Sequence, residues 1–262
     1  MFVNASWRDG KYESCNHYRY SRQCTGLYAV LEEIDREKEI EYIFCLGDMI
    51  GIGPDTNEVL ELLFARKDIS MITGNHDEVV LALIKEEEYP ESHSHVKEHH
   101  RWIAERMDQS FIHKLEQLPR IIDRNIEGHP VLFTHYYIEN SKIKKHISKD
   151  PFHSIVDPSL NNLEKLFHDR KEKLICFGHH HPIQYFEGNH GKKYLNPGSL
   201  GCNDKPAAPY AIVDITYHSI EISLKEATYD NSQFLASYER LQVPDRELIL
   251  KVFHRNQIKT RI

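Results

Sequence analysis

Tyr42-Ile-Phe-Cys-Leu-Gly-Asp48 is the stretch that decides the fold. Its apolar run is continuous rather than alternating, and too short for a core helix. It therefore reads as a strand buried on both faces. Gly47 lets the backbone turn sharply, so that a carboxylate is left at the strand's C-terminal end. The pattern recurs three times along the chain. Ile69–Thr73 runs into Gly74-Asn75-His76-Asp77, Val131–Phe133 into Thr134-His135, and Leu174–Phe177 into Gly178-His179-His180-His181. Helical periodicity separates these strands, over Tyr28–Lys38, from Asp55 or Thr56 to Arg66, over most of Glu78–Leu118 with a break near Pro90, and over Leu163–Asp169. Ile121–Ile126 is a strand joined to the third run through a Gly128 turn. Tyr210–Ile215 and Ile220–Leu224 pair antiparallel, and the tail from Ser232 to Phe253 forms two short helices. Strands alternating with helices place the chain in the α/β class. Polar residues gathered after strand ends lie where open α/β sheets bind ligands.

The 262 residues suit one large domain with a core of its own. No repeat or low-complexity linker divides them. With 40% hydrophobic and 28% charged residues, the composition is that of an ordinary globular protein. A formal charge of -7 and the lack of a basic block disfavour nucleic acid as a partner. No apolar run is long enough to span a membrane, and no leader pattern opens the chain. The five cysteines have no metal-type pairing; Cys45 and Cys176 read as small buried hydrophobes of a reducing compartment, so a cytoplasmic location is expected. The 18 histidines are the one compositional oddity.

Taken singly, each polar segment reads as readily as a turn, a helix cap or a structural histidine. Four in order, each ending an apolar run, offer a mixed carboxylate, amide and imidazole set. Such a set suits Mn, Fe or Zn better than a thiolate-seeking metal. A carboxylate can bridge two cations, and two cations about 3.5–4 Å apart can clamp a phosphate.

Across Leu27–Asp214 the chain resembles the calcineurin-like metallophosphoesterases, and most closely their small bacterial phosphodiesterase branch. GDMIGIGPDTNEVLELL, GNHD, FTH, GHHHP and YLNPGSLG carry the likeness. The resemblance implies a two-sheet β-sandwich flanked by helices, four layers in all. It also implies two divalent ions, with Mn first and Fe, Zn or Ni as alternatives. Asp48 would bridge them; Asn75, His135 and His179 would hold the second ion, and His181 would complete the first. His76 would assist the leaving oxygen, with Asp77 orienting it. His180 stands where the family usually has threonine and is read as tolerated rather than ligating. Asn196–Ser199 would be a structural loop near the site. The implied reaction is attack of a metal-bound hydroxide on a small phosphorylated molecule, such as a nucleotide. The rivals are a catalytically dead scaffold that binds a protein, and a nuclease.

The family's opening Asp-x-His-Gly-Asn motif is missing. It should fall at Arg19-Tyr20-Ser21-Arg22-Gln23, none of which is a good ligand. Read one base out of register, permitted codons for residues 11–26 spell NMKVAII(I/T)DIHGNALA, which rejoins the frame at Leu27. Residues 1–26 are therefore expected to be a frame-shifted reading, with 27–262 as the single domain. On this reading the first metal keeps only Asp48 and His181, activity and stability suffer, and the neighbour of the lost strand is left unpaired.

Other features stay open. His95 and His99 have zinc-compatible spacing, but the Ser92–His100 stretch reads as a solvated helix face, or else as a lid over substrate. Lys142–Lys149 reads as a solvated loop. Trp102 and Tyr136 could stack a base or simply pack.

Overall fold

The computed structural model describes residues 2–6, 25–255 and 257. Two five-stranded sheets face each other. The first, in the order β10-β9-β1-β2-β3, comprises β1 (Phe2–Ser6), β2 (Tyr42–Cys45), β3 (Ile69–Met71), β9 (Ala207–Ile215) and β10 (Ile220–Thr228). The second, in the order β4-β5-β6-β8-β7, comprises β4 (Ile121–Ile126), β5 (His129–Thr134), β6 (Leu174–Cys176), β7 (Gln184–Glu187) and β8 (Lys193–Asn196).

Successive side chains of a strand point to opposite faces, and the burial follows that rule. Phe44 and Leu46 meet Val131, Phe133, Leu174 and Cys176 between the sheets. The Phe44 and Phe133 rings stack there, with centroids 3.7 Å apart. Ile43 and Cys45 turn the other way, against α1 (Thr25–Arg36) and α2 (Thr56–Phe64). Leu27, Val30, Leu31 and Ile34 of α1 recur at helical spacing and form its buried stripe. On the far side, Leu132 and Ile175 pack against α6 (Leu160–Leu166) with Phe167 and Phe177. The expected α/β class and flanked sandwich are therefore present. β2, β5 and β6 are buried because layers cover both faces, which is why they read as continuous apolar runs.

The stretch between β3 and β4 is broken into α3 (Asn75–Ile84), α4 (Lys97–Ala104) and α5 (Ile112–Glu116), with 3₁₀ turns over Glu91–Val96 and Gln109–Phe111. α7 (Ser232–Arg240) and α8 (Arg246–Phe253) close the chain, as the tail pattern suggests. β7 carries no alternation strong enough to read in advance; it is an edge strand of the second sheet. Asp55 occupies the N-cap position of α2 but makes no side-chain cap bond.

One expectation is corrected. The neighbour of the missing first strand is not left unpaired: Phe2–Ser6 lies between β2 and β9, antiparallel to the first and parallel to the second. Any extended segment can satisfy those ladders, because the hydrogen bonds come from backbone groups. Arg19–Gln23, the place of the absent motif, lies outside the described residues.

Candidate metal centre

Four loops converge at the ends of β2, β3, β5 and β6. The loops after β2 and β3 approach so closely that a side chain on either glycine is excluded. A Cβ on Gly74 would overlap the Asp48 carboxylate, and one on Gly47 would strike the Gly74 backbone. Gly47 also has φ +82°, a region that favours glycine. Asp77 locks the two loops together. Its Oδ2 accepts from the amides of Asp48 and Gly74 (both 2.8 Å), and its Oδ1 from Met49 (2.9 Å) and Ile50 (3.1 Å). Asp48 (φ 52°) and His179 (φ 65°) hold left-handed backbone conformations, uncommon for such residues and concentrated where surrounding structure enforces them.

His135 is the hub. It is fully buried, and its Nδ1 lies 2.7 Å from the Leu46 carbonyl, to which it donates. In the neutral ring Nε2 is then a bare lone pair. Around it stand Asp48 Oδ2 at 3.1 Å, Asn75 Oδ1 at 3.0 Å and His179 Nδ1 at 3.3 Å. Carboxylate, amide oxygen and imidazole lone pairs converging on one point repel one another unless a cation or proton lies between them. Burial lowers the His135 pKa, but the Asp48 carboxylate outweighs it and holds the pKa above its ordinary value. Burial raises Asp48, and the His135, His76 and His179 charges more than reverse this. His179 falls to about 3 and His181 to about 4, in both cases chiefly through burial. Neutral imidazoles are the form that binds metal. The donor set thus fits a divalent ion held by Asp48, Asn75, His135 and His179, with the Leu46 carbonyl orienting His135 from behind.

Asp48, Asn75, His76, His179 and His181 line one cleft of about 760 Å³. Among the described residues, Asp48, His135 and His179 alone form a close group of metal-type side chains. His181 shares the cleft but not that group; its ring sits 5.5 Å from that of Phe253. The Asn196 loop supports the histidine turn: Asn196 Nδ2 donates to the His180 carbonyl, and the Ser199 amide to that of His181 (3.0 Å). His180 Nδ1 is paired with Gln184 at 2.7 Å.

The orienting contact expected between Asp77 and His76 is corrected, since both oxygens of Asp77 are taken by backbone amides. The partner of the His76 ring is His100, at 2.9 Å. The solvated-face reading of the histidine-rich stretch is likewise corrected: His99 and His100 are buried. His99 bonds the Ile52 carbonyl while His95 is exposed, so the two make no zinc pair. His93 reaches Asn75. These contacts were missed because spacing shows which residues share a helix face but not what covers that face; the density of histidine was the available signal. Trp102 packs under Arg106, and Tyr136 is buried with its hydroxyl accepting from the Val156 amide. Lys149 pairs with Glu88 and Lys142 with Glu139.

The chain's kinship agrees with this geometry. The sequence profile of the Calcineurin-like phosphoesterase superfamily domain matches residues 14–218. Uncharacterized protein MJ0912 of Methanocaldococcus jannaschii is 31% identical over 217 residues, covering 75% of this chain and 80% of that one. The crystal structure of hypothetical protein PH1004 from Pyrococcus horikoshii superposes with TM-score 0.71 at 19% identity, covering 97% of both chains. That of a metallophosphoesterase from Sphaerobacter thermophilus gives 0.60 at 19% identity, over 96% of this chain and 98% of the other. The chain belongs to the calcineurin-like phosphoesterase superfamily, and that membership implies divalent metal ions as cofactors. No helix among the described residues is long and apolar enough to cross a membrane.

Proposed function

We propose that this protein is a metal-dependent phosphoesterase acting on a small phosphorylated molecule, with nucleotides and other phosphodiesters as the leading class. The observation that carries this reading is the meeting of Asp48, Asn75 and His179 around His135 Nε2 at 3.0–3.3 Å, beside a cleft of small-molecule size. A divalent ion bound there, Mn²⁺ in the first instance, supplies Lewis acidity toward a phosphoryl oxygen and toward water. The chain's own groups do the rest. Asp48 and His135 neutralise and orient, Asp77 holds the two ligand loops in register, and His76 stands on the cleft wall to serve the leaving oxygen. A second ion would rely on Asp48 and His181. Residues 1–26 are proposed to be a frame-shifted reading that removes the remaining ligands of that position. The free thiols of Cys45 and Cys176, both buried, support a cytoplasmic setting.

The test uses Mn²⁺ and an aryl phosphodiester, followed by a panel of nucleotides, on two proteins. One is this chain; the other begins at the hidden methionine, with MKVAIIIDIHGNALA in place of residues 1–26. The reading expects slow turnover by the first and at least a hundredfold gain in the second, with bound metal rising from one ion to two. Metal binding without hydrolysis by either protein would instead favour a scaffold that binds a protein partner.

A further inference from the structure

Two hydrogen-bond chains run from the metal centre into a single segment, Tyr89–His100, and the chemistry of their donors fixes the direction of each. In the first, Asn75 Nδ2 can only donate, so His93 Nε2, 2.9 Å away, accepts. The neutral His93 ring then carries its proton on Nδ1, which donates to Ser92 Oγ at 2.7 Å. The Ser92 hydroxyl passes its own proton toward Asp150 Oδ1 at 2.6 Å. An ionised carboxylate only accepts, so the chain ends there with every link satisfied. Its effect is to turn Asn75 Oδ1 toward His135. A flipped amide would set an NH₂ group among the metal-binding atoms and an oxygen against the His93 lone pair.

In the second chain, Tyr89 has one hydroxyl proton and donates it to the His93 carbonyl at 3.1 Å. Its oxygen therefore accepts from His100 Nδ1 at 2.7 Å. His100 Nε2 is left bare and accepts from His76 Nδ1 at 2.9 Å. The remaining ring nitrogen of His76, Nε2, belongs to a side chain that lines the cleft. His100 itself is fully buried, so water cannot replace it as the acceptor.

We propose that His93 and His100 are positioning residues of the metal centre: His93 fixes the amide face of Asn75, and His100 fixes His76 as its Nδ1–H tautomer, leaving Nε2 to serve the leaving oxygen. This deepens the phosphoesterase reading and rests on it for the last clause alone. Partners behind metal-site side chains commonly change metal affinity by about 10–100-fold when removed.

Three measurements on the full chain test the proposal. In the unmodified protein, ¹⁵N spectra of the imidazoles should show His76 protonated on Nδ1; protonation on Nε2 would overturn the His100 arm. His93→Ala should weaken Mn²⁺ binding by calorimetry about 10–100-fold. His93→Gln, which keeps an acceptor near the Nε2 position, should restore most of it. Equal affinities in all three proteins would overturn the His93 arm. His100→Phe should mix the His76 tautomers and lower kcat more than it raises KM; an unmixed tautomer would count against the proposal. The spectra and the calorimetry need no substrate. Hydrolysis failing while both behave as expected would sink the phosphoesterase reading and leave the positioning roles standing.

Discussion

The two halves of the cleft are built differently. Around His135 three of the ligand-type residues are braced from behind: His135 by the Leu46 carbonyl, Asn75 by His93, and Asp48 by the His76 amide on its Oδ1 and by its own amide on Asp77. Around His181 the surroundings are an aromatic ring and an apolar cavity of about 160 Å³. The wall of that cavity includes Leu200, Cys202 and Tyr238, together with Asp55 Oδ2 and Thr56 Oγ1, which have no hydrogen-bond partner among the described residues. One half is a satisfied polar network that a cation would complete. The other sets polar groups that are orphaned among the described residues next to apolar walls. The contrast shows where bracing of the cleft is concentrated: in the loops after β2, β3 and β5, whose side chains meet at His135.

The largest effect should come from the braced half. Asp48→Asn is expected to abolish aryl phosphodiester hydrolysis, by roughly a thousandfold or more, and to strip tightly bound metal. Activity within tenfold of the parent would mean that this carboxylate is not at the centre. The direct comparison is His135→Ala against His181→Ala. The first should cost about a hundredfold in metal affinity and the second less than about threefold. Equal losses by calorimetry would show the two halves to be equally built. Gly74→Ala probes the close approach of the loops and should destabilise the fold by about 2–3 kcal/mol in urea unfolding, since the new methyl has to displace Asp48.

The smallest effect is one of pH, at Asp55. Burial, then the nearby Glu58 charge, push this carboxyl up to about 7 against the pull of Arg240. A folded pKa above the unfolded value of an acid means that the native state holds the proton longer. The stability contributed by Asp55 therefore falls as pH rises from about 4 through about 7, by on the order of 1–2 kcal/mol, read as the difference between the parent and Asp55→Asn because buried histidines such as His179 and His181 titrate with the opposite sign. Asp55→Asn should flatten that slope in thermal melts taken between pH 4 and pH 8. Parallel stability profiles for the parent and Asp55→Asn across the same window would show that Asp55 has gained a partner.

Much of this was legible in the chain itself. Tyr42–Leu46, Leu174–Phe177 and their neighbours could be read as doubly buried strands because an apolar run without alternation fits only a sheet covered on both sides. The glycines before Asp48 and Asn75 marked the turns because backbone geometry is local. The four loops that carry Asp48, Asn75, His135 and His179 could be proposed as one site because each followed the same strand-then-turn pattern, and the family resemblance implied which side chain of each loop is the ligand. Tertiary structure alone decided the rest. That Asp77 faces four amides rather than His76, that Phe2–Ser6 fills a vacant sheet position, and that His93 and His100 reach the ligands all depend on contacts between segments far apart in the chain. Periodicity reports which way a side chain faces its own helix or strand; it carries no record of what is brought to the other side.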